Sequence, residues 1–448
     1  MSTEIVQIHV GQCGVQMANA LWELYCLEHG ILLDGEVCNL CPESFTNPLF
    51  SITPSGKAVP RVIMVDLEPT PIDEIRTGAY RQLFHPSCLI TGKEDAASNF
   101  ARGFFTVGRE QIDVVMERVR QATENCNNLQ AIFISRSYGG GTGSGFTTLL
   151  LERLLINYGK KAKVEFAIYP APNLSPIIVE PYNAVFAAHE SIETINASFI
   201  IDNEAVYDIC ANKFNVQQPT YTNLNRLIAQ VVSASHSSLR YPNASPLSID
   251  ELQTNLVPYP RIHYPMISYS PLVGGAKTGF EGFTIGQITN ECFEPASQML
   301  KVDARLGAYL SCCFIYQGDV NAGDINNCVN ALKTNRNLHF IEWSPSGFKI
   351  AINPVPPMAV VGGDLGPVPR SLCLLSNSSA IKTVWIRLLN KFDSMYKKRA
   401  FVHHYVGEGM EEGEFKNARD DIEALIQDYK ELEDSTNGKK PEEDADEN

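Results

Sequence analysis

The chain has 448 residues, 44% of them apolar, and a net charge of −15, so two or three globular domains with a substantial core are expected. No window approaches 18 consecutive apolar residues, which argues against a membrane span. The sign of the charge argues against a nucleic-acid partner. Residues 408–448 carry 16 acidic and 5 basic side chains, leaving the body nearly neutral and forming an acidic arm suited to basic partners. The N-terminus, MSTEIVQIHVGQ, lacks a basic segment followed by a hydrophobic one, so no signal peptide is expected. Twelve cysteines without a framework of paired spacings read as reduced thiols. The one C-x-x-C, Cys38-Asn-Leu-Cys41, has no second ligand pair nearby and reads as two unrelated loop thiols.

Over residues 1–205 short β-branched runs alternate with helical periods. EIVQIHV leads through GQCG into a helix; RVIMVDLEP, AIFIS, KVEFAIYPAP and SFIIDNEA begin further units. This pattern predicts a doubly wound, largely parallel sheet. Ligands of such sheets bind beyond the carboxyl ends of the strands. The loops there are 11–14, 66–69, 92–99, the glycine run, 170–175 and 202–205. A long core helix is expected at about 220–240, with Leu224, Leu227, Ile228, Val231 and Val232 on one stripe. The full expectation is an α/β fold in four parts: 1–205, a mixed α/β intermediate domain 206–381, C-terminal helices 382–437, and a disordered acidic tail 438–448. In the last helix Phe415, Ala418, Ile422, Leu425, Tyr429 and Leu432 form the inward face, and Gly438 ends it.

The run SYGGGTGSGFTT (137–148) has the look of a phosphate cradle, because glycines let backbone amides crowd an anion and the next helix adds its positive end. Gly140 and Gly145 have the spacing of the phosphate loop G-x-x-x-x-G-K-[ST], but Phe146 stands where its lysine should be. Neutralisation must then come from amides and a metal ion. Magnesium wants carboxylates or water, and Asp66 with Glu68, or Glu94 with Asp95, lie at strand ends in the right zone. No dinucleotide fingerprint G-x-G-x-x-G fits residues 139–145, which argues against a nicotinamide oxidoreductase. A flexible linker is the competing reading, and linkers do not sit between a buried strand and an amphipathic helix.

GGGTGSG resembles the tubulin signature, and the similarity runs nearly end to end. It includes VDLEPT (65–70), YPAP (169–172), VEPYN (179–183), PTYTNLNRLI (219–228), QTNLVPYPRIHYP (253–265) and KRAFVHHYVGEGMEEGEF (398–415). Three features resemble the α type: Glu251 before QTNLVPYPR, the insertion-like NPVPPMAVVGGD (353–364), and ELYCLEHGI (23–31). Cys13 in GQCG is similar to the β type instead.

The resemblance implies a GTP-binding first domain. Gln12 and Cys13 would lie under the phosphates, Gly140, Gly141, Thr142 and Gly143 would present amides, and Ser137, Asp95 and Ser98 would share that pocket. Glu68 would hold Mg2+, directly or through water, with Asp66 in support. Asn203 and Asn225 would read the guanine edge, Tyr221 would stack on the base, and Glu180 would approach the ribose. Glu251 would sit at the far end of the subunit and complete the GTP site of a stacked β subunit, making a GTPase only on polymerisation. The chain's own GTP would stay buried and intact. Implied partners are β-tubulin in a heterodimer, other dimers in the microtubule lattice, and motor and microtubule-associated proteins, in the cytoplasmic cytoskeleton. The competing reading is a GTP-binding protein that no longer polymerises and sequesters β-tubulin.

Several positions depart from the α pattern. Ser98 replaces an asparagine, Pro176 a threonine and Ser248 an aspartate. The stretch 274–282 resembles the lateral-contact loop but carries four glycines, with Phe280 in place of a polar residue. Residues 31–56 contain no lysine, so the lumenal acetylation site is missing, and the chain ends in Asn448 rather than tyrosine. Glu442, Glu443 and Glu447 remain available as glutamylation sites.

Overall fold

The computed structural model describes residues 3–38, 47–241, 247–275, 282–333, 338–341, 343 and 348–436. Cys41, Phe280, most of 274–282, Gly438 and the tail residues Glu442, Glu443, Glu447 and Asn448 lie outside them.

Strand β1 (Glu4–Val10) runs without a break into α1 (Gly11–His29). A small hairpin, β2 (Phe50–Ile52) and β3 (Ala58–Pro60), precedes β4 (Val62–Asp66) and α2 (Thr70–Thr77). Then come β5 (Leu89–Thr91), α3 (Val107–Glu124), β6 (Leu129–Ser137), α4 (Thr147–Tyr158), β7 (Ala162–Tyr169), α5 (Glu180–Thr194), β8 (Ala197–Asp202) and α6 (Asn203–Asn212). The sheet order is β5-β4-β1-β6-β7-β8, with every pairing parallel. The doubly wound expectation therefore holds. The order reverses between β1 and β6, where such sheets open a crevice for ligands.

The stripe expected at 220–240 is buried as α7 (Tyr221–Ser235), but the helix is interrupted at His236 and only α8 (Ser237–Arg240) follows. The cause lies in side chains that periodicity does not reveal. Arg240 Nη2 donates to the Ser233 carbonyl at 2.8 Å, and His236 Nε2 meets Tyr25 Oη at 2.8 Å. The Ser233 carbonyl, which a continuing helix would pair with Ser237, is satisfied instead by the guanidinium.

After α9 (Ile249–Leu256) a second sheet is built from β9 (Met266–Ser270), β10 (Tyr309–Gly318), β11 (Lys349–Asn353) and β12 (Arg370–Ser378), in the order β11-β10-β12-β9. It is mixed: β10 pairs parallel with β11 and antiparallel with β12. Helices α10 (Ile285–Glu291) and α11 (Ala322–Lys333) flank it. The chain closes with α12 (Lys382–Tyr396), α13 (Val402–Gly407) and α14 (Glu412–Thr436). The α14 face expected from its spacing is the buried one: Phe415, Ala418, Ile422, Leu425 and Tyr429 are covered, with Leu432 partly so.

The cores do not stop at the sheet boundaries. One joins α1 and the parallel sheet through α7 to Ile267, Tyr269, Cys313 and Ile315 of the mixed sheet. Another joins α5 to α12, α14 and the opposite face of the mixed sheet. The third packs α3 and α4 on β1, β4 and β6. Among the described residues no helix is long and apolar enough to cross a membrane, and the eleven described cysteines are free.

Candidate nucleotide-binding site

Strand register brings the loop starts to one edge of the parallel sheet. Val10 pairs with Val65, Asp66 with Thr91, Ser137 with Ile168, and Tyr169 with Asp202. The segments beginning at Gly11, Leu67, Gly92, Tyr138, Pro170 and Asn203 therefore leave the sheet together.

At the crevice the backbone is packed too closely for side chains. Gly11 has φ +74°, and a Cβ on it would lie 3.2 Å from the Gly143 nitrogen. A Cβ on Gly141 would lie 2.6 Å from the Asn99 nitrogen, whereas one on Gly140 would meet nothing within 4 Å. Gly140 thus faces open space while its neighbours hold the loops against one another. Residues Thr142–Phe146 form a widened helical turn that runs into α4. Neither α1 nor this turn has a side-chain N-cap, so their first amides are left for water or an anion. Gln12 is exposed and Cys13 half-buried in the first turn of α1. Ser137 Oγ accepts from the Gly139 amide at 3.2 Å. Thr142 and Gly143 are buried.

Phe146, at the lysine position of the phosphate loop, has no solvent exposure and packs in the core with Ile132, Leu149 and Val107. The widened turn directs that position inward, so a lysine there would not reach a phosphate.

The acidic residues separate by environment. Asp66 is buried, its Oδ1 accepts from the Glu68 amide at 3.4 Å, and its Oδ2 has no partner among the described residues. Burial, with the nearby charges of Asp95 and Glu68, pushes its carboxyl up to about 7. Glu68 is half-buried and accepts from Thr70 Oγ1 at 2.7 Å. Asp95 is exposed, and Glu94 is engaged by Arg102 at 2.9 Å. An orphaned, destabilised carboxylate beside a second one is a setting a divalent cation relieves. Among the described residues no three metal-ligating side chains converge, so Mg2+ here would take Asp66 or Glu68 and draw its other ligands from phosphate and water.

Ser98 adopts a left-handed conformation at φ +55°, and its carbonyl accepts from Asn183 Nδ2 at 2.7 Å. Glu180 is buried against Gly139 and accepts from Ser175 Oγ; burial raises its carboxyl above the usual range. Pro176 is exposed in the same loop. Asn203 opens α6, while Tyr221, 63% exposed, opens α7 one turn before Asn225. Helices α6 and α7 pack together, and among the described residues the side-chain amides of Asn203 and Asn225 have no hydrogen-bond partner.

Glu251 stands apart from these residues. It lies in α9, which packs on β10 and β12 of the mixed sheet. Ser248 caps this helix, accepting from the Glu251 amide at 3.1 Å, so its departure from aspartate preserves the cap while removing a charge. Lys349 Nζ lies 2.8 Å from Glu251 Oε2, and this hydrogen bond holds the carboxyl below its ordinary range.

Two buried features were not singled out from sequence. Asn183, fully buried within VEPYN, donates to the carbonyls of Ser98 and Gly139 and accepts from the Phe100 amide and Tyr405 Oη. It pins the 92–99 loop and the glycine run to α13. Arg136 and Glu165 form an unexposed ion pair under the glycine run. A charged residue within a buried strand was the available signal for both ions.

Residues 4–211 match the Tubulin/FtsZ family, GTPase domain, and residues 260–390 match the Tubulin C-terminal domain. Over 432 residues the chain is 56% identical to the Tubulin alpha-2 chain of Caenorhabditis elegans, covering 96% of each. With its glycine crevice at the switch point of the sheet and this match over nearly its whole length, the chain belongs to the tubulin family and is of the α type.

Proposed function

We propose that this chain is the α subunit of an αβ-tubulin heterodimer that assembles into cytoplasmic microtubules. It keeps GTP with Mg2+ in its own crevice and lends Glu251 to hydrolysis on the adjacent β subunit. The amides of Gly140, Gly141, Thr142 and Gly143, with the first turn of α1, are suited to phosphates. Asp66 and Glu68 would hold the cation, which would supply neutralisation of phosphate charge. The side-chain amides of Asn203 and Asn225, unpaired among the described residues, can both donate and accept, as a guanine edge requires. Glu180 stands beside Gly139 for the ribose, and Tyr221 has the exposure needed to stack on a base.

The observation that carries the composite-site reading is the position of Glu251. Its side chain is 49% exposed on α9, which packs on β10 and β12 of the mixed sheet rather than on the parallel sheet that carries the crevice. That position supports a role at a site brought by another molecule, where the carboxylate would orient the attacking water. Glu251→Ala, co-assembled with a β subunit, is expected to polymerise at the parental critical concentration while GTP turnover falls about 10²-fold or more. Polymers that hydrolyse GTP at the parental rate would overturn the assignment.

A further inference from the structure

Beneath the glycine run lies a buried cation with no role in phosphate contact. Arg136, near the end of β6, has no solvent exposure. Its Nε pairs with Glu165 of β7, its Nη2 donates to Ser191 Oγ of α5, and its Nη1 reaches the Gly143 carbonyl at 3.4 Å. The guanidinium lies over the Tyr138 ring, 4.7 Å from its centroid. Glu165 is closed off in turn by Tyr138 Oη at 3.0 Å and Ser198 Oγ at 2.7 Å. Protein surrounds the cation, and of the bonds it makes, the one to Gly143 leads to the crevice.

Gly143 is confined from more than one direction. A Cβ on it would lie 2.5 Å from the Ser137 carbonyl oxygen, and its nitrogen is the atom that a Cβ on Gly11 would approach. Its carbonyl thus points down to Arg136 and its amide toward the start of α1. A buried ion pair adds little net stability, because desolvation offsets the Coulomb attraction, and apolar isosteres often replace one without loss. What an apolar pair cannot do is hold a carbonyl in one orientation, as a planar guanidinium with fixed donors does.

We propose that Arg136 is a positioning residue of the phosphate cradle. It holds the Gly143 carbonyl from the buried side and keeps the amides of Gly141, Thr142 and Gly143 turned to the crevice. This rests on the reading of that crevice as a GTP site. Because Glu165 meets its charge, Arg136 acts through backbone geometry rather than by attracting phosphate. A cation one layer down, working through the main chain, takes the place of a lysine reaching the ligand directly.

The test uses the full chain purified with a β-type tubulin, comparing the parent, Arg136→Lys, and the double variant Arg136→Met with Glu165→Leu. Thermal midpoint and the rate of guanine-nucleotide release from the α subunit are read on each. The double variant, which leaves the Tyr138 and Ser198 hydroxyls without Glu165, is expected to fold with a lowered midpoint and to release nucleotide roughly tenfold faster or more. Arg136→Lys, which keeps the charge and loses the planar fork, should shift release in the same direction at a parental midpoint. A folded double variant with parental release overturns the proposal. Should the double variant not fold, parental release from Arg136→Lys overturns it. A parent that carries no guanine nucleotide on the α subunit overturns the GTP reading instead.

Discussion

Single side chains around the crevice do work that is visible only in their partners. Asn183 makes four hydrogen bonds from a fully buried position and gives two loops and α13 a common anchor. Asn183→Ala would strand two carbonyls, an amide and a phenol, and is expected to cost about 3 kcal/mol, read as a lowered thermal midpoint of the purified heterodimer. Asp202, which caps α6 through the Glu204 amide at 2.8 Å, is pushed up to about 6 by burial. Its folded value exceeds the ordinary 3.8, so the folded state holds a proton that the unfolded chain has lost. That contribution is complete below about pH 4 and disappears as pH rises through 6. Between pH 5 and pH 7 the parent is expected to lose about 1 kcal/mol more than Asp202→Asn, which keeps the cap but not the titration. Equal slopes in denaturation curves at the two pH values would show that Asp202 is not the source.

At the scale of elements, the glycine run and α7 each depart from the simple periodic reading for a local reason. The run starts a widened turn, and that turn rotates Phe146 into the core between α4 and the sheet. Phe146→Lys would complete the familiar phosphate-loop spelling, yet it would place an unpaired ammonium where nothing can solvate it. The expected result is a loss of about 4 kcal/mol or more and no gain in nucleotide affinity, checked by denaturation and by nucleotide retention. The end of α7 is decided by Arg240, whose guanidinium satisfies the Ser233 carbonyl and pairs with Glu28. Hydrophobic spacing locates the buried face of such a helix but carries no information about a side chain that ends it from four residues beyond the break.

Across the whole molecule the two sheets share their hydrophobic cores rather than each owning one. Helix α7 is covered on one side by α1 and on the other by strands of the mixed sheet. Residues 1–205 expressed alone would lack α7, α12 and α14 and so expose the faces those helices cover. The fragment is expected to aggregate or to lose near-UV dichroism while keeping far-UV signal, whereas the full chain retains both. The same architecture separates Glu251 from the glycine run. That separation is set by the tertiary fold, since α9 packs on β10 and β12 of the mixed sheet.

The parallel sheet, the loops at its carboxyl edge and the inward face of α14 were legible in sequence because each rests on a short period of residue types. The type of site was legible too, since a run of closely spaced glycines after a buried strand has few other uses. What the sequence left open was set by contacts between residues far apart in the chain. The contact of His236 with Tyr25 and the Asn183 anchor on Tyr405 join residues more than 200 positions apart. Arg136 shows the difference most directly. As one letter before SYGGGTGSG it reads as an interruption in a strand; folded, it is a fully buried guanidinium against the carbonyl of Gly143. Periodicity fixes which face is buried, but only three-dimensional packing decides what a buried charge is held against.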